Sequence, residues 1–167
     1  MIAEFQESGY LVYLLSTKSN QMKHLMTLLA LVVAVNDARG LCPNNWHIPS
    51  DSEYMVLEIE LGMSESEANA DGERGSDQGD QMKSSMENFY PWNGTNASGF
   101  SGISGGIYHI YEGSVLGDFL GCGSFWTASE IGESAWNRSL WHFTSQVVRE
   151  SYDKRYGSSV RCIKDAE

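Results

Sequence analysis

The chain has 167 residues and a formal net charge of −11, a length that suits one domain with a single core. With 41% hydrophobic and 20% charged residues, 17 Gly and only 3 Pro, it is neither a disordered nor a collagen-like chain. A surface this acidic repels a phosphate backbone, which argues against nucleic acid as a partner.

Residues 10–15 (YLVYLL) form a short β-prone run and are expected as a strand. Residues 25–35 are an apolar stretch about half as long as a membrane span, so no stable span is expected. Lys23 and this stretch resemble the charged head and apolar middle of a signal peptide. Asn36 and Asp37, however, stand where small cleavage-site residues belong. A buried strand or helix is the plainer reading, and residues 1–33 are left apart from a domain expected over residues 34–167.

After Gly40 the punctuation improves. Pro49-Ser50-Asp51-Ser52-Glu53 is a helix start, with Ser50 and Glu53 spaced for a reciprocal capping box. Tyr54, Leu57 and Leu61 then fall on one helical face, and Gly62 is placed to stop the helix. Residues 58–80 carry eight carboxylates against the single Arg74 and read as a solvated, loop-like stretch, with a short helical turn near residues 65–70. Residues 93–123 are rich in Gly, Ser and Asn, a composition of turns. Strands are expected at residues 124–128, 135–143, 146–150 and 158–163. One helix, a loop-rich middle and a terminal set of short antiparallel strands make an α+β fold with long irregular loops.

The chemistry-bearing residues form no catalytic pattern. Cys42, Cys122 and Cys162 lack CxxC spacing, which leaves no zinc motif. His24, His47, His109 and His142 include no HExxH pair, and His47 reads as a structural hydrogen-bonding residue. Asp71, Glu73, Asp77 and Asp80 lack the spacing of a twelve-residue EF-hand loop. The chain is therefore expected not to be an enzyme and to carry no metal or cofactor. Cys122, between Gly121 and Gly123, reads as a lone, partly exposed thiol.

The segment richest in contact-type side chains is residues 136–143 (WNRSLWHF), followed by Tyr152, Lys154, Arg155 and Tyr156. Trp, Tyr and Arg dominate binding hot spots. Trp136, Asn137, Arg138, Trp141, His142, Tyr152 and Tyr156 are accordingly the candidate ligand-binding residues. Trp141 or Tyr152 is expected to be well exposed, with Trp141, Tyr152 and Tyr156 clustered at one end. Against this stands the reading that Trp136, Leu140 and Phe143 are core, since a strand buries one face.

Several blocks, in order, carry a family resemblance: residues 34–43 (AVNDARGLCP), 46–54 (WHIPSDSEY), 81–84 (QMKS), 95–96 with 99–101 (TN, GFS), 105–106 (GG), 125–130 (FWTASE) and 157–165 (GSSVRCIKD). Together they resemble the Fibrobacter succinogenes major paralogous domain family of bacterial surface and secreted proteins. Asn45, Tyr54 and Ser104 stand where that pattern has Gly, Trp and Pro. The family's upstream segment is not recognisable in residues 1–33.

The resemblance implies a C-type lectin-like fold, a core position for Trp126 in the FWTASE block, and no established catalysis. It also implies a Cys42–Cys162 disulfide; in a reducing cell the same pair would be two buried thiols. Function follows by analogy only: a secreted or cell-surface module binding a glycan or protein, outside the cell or in the envelope. The alternatives are a structural module of an envelope protein, and a hypervariable phage or retroelement-diversified receptor-binding domain with changes confined to residues 135–156.

Overall fold

A computed structural model of the chain describes residues 5–6, 35, 40–85, 91–111, 114–117 and 121–166. The strand expected at residues 10–15 and nearly all of the apolar stretch at 25–35 lie outside the described residues. Among the described residues no helix is long and apolar enough to cross a membrane.

The architecture is α+β with antiparallel sheets. Strands β1 (Phe5–Gln6) and β2 (Trp46–His47) flank β9 (Cys162–Lys164), so both ends of the chain meet in one small sheet. The main sheet orders β3 (Gly72–Arg74), β8 (Val147–Asp153), β7 (Ser134–Trp141) and β6 (Cys122–Ile131). A separate pair joins β4 (Tyr108–Tyr111) to β5 (Ser114–Gly117). The helices are α1 (Asp51–Glu60), α2 (Glu65–Asn69) and α3 (Gln78–Met82).

Helix α1 starts as its sequence dictates. Glu53 N–H donates to Ser50 Oγ at 3.3 Å and Ser50 N–H to Glu53 Oε2 at 2.8 Å, closing the capping box. It stops at Gly62, whose φ of 103° is costly for any side chain. Helix α2, where a short helical turn is expected within the acidic stretch, repeats the device with Ser64 and Glu67.

The main sheet is covered on both faces. On one lie Tyr54 of α1, Met82, Trp92, Phe100, Phe125, Leu140 and Val147. On the other lie Val35, Ile48, Trp126, Ala135 and Val160. Trp126 is fully buried, as expected. This double coverage explains why residues 137–140 are buried in succession. A strand covered on both sides shows no in–out alternation, and the one-faced reading of residues 136–143 fails there.

Tyr54 is 1% exposed and its hydroxyl has no hydrogen-bond partner. A buried hydroxyl left unpaired costs about 1–3 kcal/mol. Tyr54→Phe keeps the ring and its edge contact with Phe100, 6.0 Å between centroids. We expect it to leave the urea midpoint unchanged or raise it. A loss of more than about 1 kcal/mol would mean that the hydroxyl makes a bond that matters.

Candidate functional site

The hairpin of residues 142–146, which joins β7 to β8, carries an aromatic shelf. Trp141 and Phe143 stack with ring centroids 5.5 Å apart and planes 29° apart. His142 meets Phe143 edge-on at 5.3 Å. Trp141 and His142 are half-buried, whereas Phe143 is 69% exposed. Leaving a ring of that size in water forgoes roughly 2 kcal/mol of burial. Phe143, which the strand reading placed in the core, is thus the most exposed of the large hydrophobic side chains described.

The hairpin is fixed from below. Gly79 N–H of α3 donates to Ser145 O at 2.7 Å, and Gln146 Nε2 donates to Gly75 O at 2.9 Å. Lys83 is buried, its ammonium 2.7 Å from Thr144 O and 2.8 Å from Asp80 Oδ1, beside the Trp92 ring. A Cβ on Gly79 would lie 2.2 Å from Gln146 O, so only glycine lets α3 approach this closely. The exposed ring rides on a braced turn, and a braced contact loses little entropy on binding.

The other candidates are distributed differently. Asn137 and Arg138 are 1% and 0% exposed, which removes them as direct ligand contacts. Asn137 belongs to a buried polar row: Ser124 Oγ and Ser139 Oγ donate to its Oδ1 at 3.0 and 3.2 Å, and its Nδ2 donates to Ser158 Oγ at 3.2 Å. Trp136 is half-buried with the Arg149 guanidinium 3.8 Å above its ring.

Tyr152 and Tyr156 are half-buried and 6.1 Å apart, and Tyr152 packs edge-on against Trp126 at 6.5 Å. They pack on the core beneath the sheet rather than joining the shelf. Ala135, the register partner of Tyr152, and Trp141 stand at opposite ends of β7, about 20 Å of strand apart. The expected single cluster of Trp141, Tyr152 and Tyr156 is therefore two groups. Burial pushes the Tyr152 hydroxyl pKa up, and its bond to Glu150 adds to this.

Arg138 is the centre of an ion cluster that the sequence reading missed. Its Nε donates to Glu58 Oε1 and its Nη1 to Asp51 Oδ1, both at 2.7 Å. Arg74 Nη2 takes the other Glu58 oxygen at 2.6 Å, and Arg149 Nη2 the other Asp51 oxygen at 2.7 Å. Arg149 also reaches Asp71 at the rim. Glu58 and Arg74 are buried, a correction to the solvated reading of residues 58–80. Burial pushes the Asp51 pKa up, but Arg149 and Arg138 outweigh it and hold it below 3.8.

Cys42 and Cys162 form the expected disulfide, with Cα atoms 5.8 Å apart. Cys122 is fully buried on the sheet, not partly exposed. Burial pushes its thiol up to about 12, so it stays protonated and unreactive. His47 pairs with Glu53 and Asp165. Among the described residues, no group of three or more His, Cys, Asp or Glu is placed to hold a metal ion.

No curated protein and no solved structure matches the chain. A family model does, over residues 3–164, so the match takes in the N-terminal part where no resemblance was legible. The chain belongs to the family of the Fibrobacter succinogenes major domain.

Proposed function

We propose that the chain is a non-catalytic recognition module of a secreted or envelope-displayed bacterial protein, built on a C-type lectin-like plan. It takes a glycan or protein ligand on the shelf of Trp141, His142 and Phe143. The observation that carries this reading is Phe143, 69% exposed on a turn braced by α3 and Lys83. An exposed ring held rigidly is a side chain whose burial a partner can complete. The disulfide fits an oxidising compartment. The meeting of both chain ends in one sheet, with a helix and a terminal sheet beyond, fits the lectin-like plan.

The diversified-receptor alternative fares worse. Residues 135–156 include buried Ala135, Asn137, Arg138, Leu140, Val147 and Arg149. Free variation across that stretch would break the core and the ion cluster.

Binding of the disulfide-intact chain to glycan and peptide arrays tests the proposal. On any ligand found, Phe143→Ala is expected to weaken binding by roughly 30-fold, as for a hot-spot ring, with the melting temperature held within a few degrees. Undiminished binding moves the site off the shelf. Silence on both arrays favours the structural-module reading.

A further inference from the structure

His47, on β2, engages both of its ring nitrogens. Nδ1 lies 2.6 Å from Asp165 Oδ1, and Nε2 lies 2.8 Å from Glu53 Oε1. A neutral imidazole carries one N–H and can donate to only one of these carboxylates. The other contact would set a ring lone pair against an anionic oxygen. Only the imidazolium satisfies both. We propose that His47 is a pH-operated latch: protonated, it ties the first turn of α1 to the segment after β9, and on losing its proton it releases Asp165.

The two arms of the latch differ. Glu53 is locked, because its other oxygen accepts from Ser50 N and Ser50 Oγ at 2.8 and 2.7 Å. Asp165 has a side chain 51% exposed, and its own N–H donates to Asn45 O at 2.8 Å. The arm free to swing is Asp165. Among the described residues, the charged groups around His47 are Glu53 from α1, and Asp165 with its neighbour Lys164 from the C-terminal side. Lys164 is in register with Trp46, next to His47 on β2. Asp51, the other acid of the first turn of α1, is committed to Arg138 and Arg149.

Titration follows the same geometry. Burial pulls the His47 pKa down, but the hydrogen bonds to Asp165 and Glu53 outweigh it and raise it above 6.5. Burial pushes the Glu53 pKa up, but Ser50 and His47 outweigh it and lower it below 4.5. The His47 contribution is whole below pH 6.5 and is lost as pH rises through the raised value. The Glu53 contribution is present above pH 4.5 and is lost as pH falls through the lowered value. The latch is therefore closed in mildly acidic solution and opens as the medium turns neutral to alkaline.

The test is an NMR titration of the His47 ring protons in the full, disulfide-intact chain. The midpoint is expected above 6.5, with the Asp165 amide moving at the same pH. Asp165→Asn should lower the His47 midpoint by roughly one unit, the loss of one opposite charge at hydrogen-bond distance. Independently, wild type should melt above His47→Gln at about pH 5.5, and the gap should close at about pH 8.5. A midpoint at or below the ordinary value, or one that Asp165→Asn does not move, overturns the latch. So does a melting gap that is constant with pH. Should His47→Gln fail to fold, the Asp165→Asn titration decides alone.

Discussion

Arg138→Ala is expected to remove about 3–5 kcal/mol of folding stability, the usual consequence of taking one partner from a buried ion pair. Its side chain is 0% exposed and bonds two carboxylates, of which Glu58 is also 0% exposed. Truncation would leave Glu58 Oε1 without its guanidinium, in a place water does not reach, and would take from Asp51 Oδ1 one of its two. Arg74 holds only the far oxygen of Glu58, Oε2, whereas Arg149 holds Asp51 Oδ2 and shares Oδ1 with Arg138, so the uncompensated charge falls on Glu58. Urea unfolding of the disulfide-intact chain reads the effect. Lys154→Ala is the control, since its pair with Glu130 lies at the surface and such pairs are worth about 0–1 kcal/mol. A loss for Arg138→Ala no larger than the control would show that the cluster relaxes or hydrates. The cluster also fixes a pH limit. Because Arg149 and Arg138 hold Asp51 below 3.8, its stabilisation is present above that pH and is lost as pH falls through the lowered value.

That cluster marks where sequence reasoning stops. Asp51 and Glu58 stand seven residues apart, which puts both on the sheet-facing side of α1 with Tyr54. Arg138 and Arg149 face each other directly across β7 and β8. In the sequence Asp51 reads as part of a helix start, Glu58 as part of an acidic run, Arg138 as part of a contact-rich strand and Arg149 as part of the next strand. Charged residues are seldom fully buried unless paired, and the pairing partners lie 80 and 98 residues away. What was legible from local chemistry is the Ser50–Glu53 cap, the Gly62 stop and the positions of β6, β7 and β8. The disulfide and the buried Trp126 were legible only through the family-like blocks that hold them.

The site was legible in part for a related reason. Aromatic density drew attention to residues 136–143, but not to which rings face water. Trp136 is covered by Arg149 and Tyr152 by Trp126, both partners distant in sequence or across strands. Phe143 is exposed because β7 ends at Trp141 and the chain turns there, so Phe143 leaves the sheet rather than continuing its alternation. A strand read two residues too long turned an exposed shelf into core. Boundaries are the least secure part of any such reading, and here one boundary decided which ring was read as core.

Opening the Cys42–Cys162 disulfide is expected to cost roughly 4–5 kcal/mol by chain entropy, since the bridge spans 120 residues. For a chain of this size that is a fall of about 10–20 °C in melting temperature. The bridge ties β9, which has three residues and pairs with β1 and β2, to the segment just before β2, and strands that short add little pairing of their own. The ion cluster and the main sheet are held by other contacts, so loss should begin at the small terminal sheet. Hydrogen exchange should then show the β9 amides losing protection before those of β7. Cys122 supplies an internal count: buried, with its thiol pushed up to about 12, it should stay unlabelled in the folded chain. It should become the one reactive thiol on unfolding without reductant. Cys42→Ser with Cys162→Ser should reproduce the reduced protein. If the double variant melts within about 3 °C of wild type, equivalent to about 1 kcal/mol or less, the terminal sheet holds without its covalent tie.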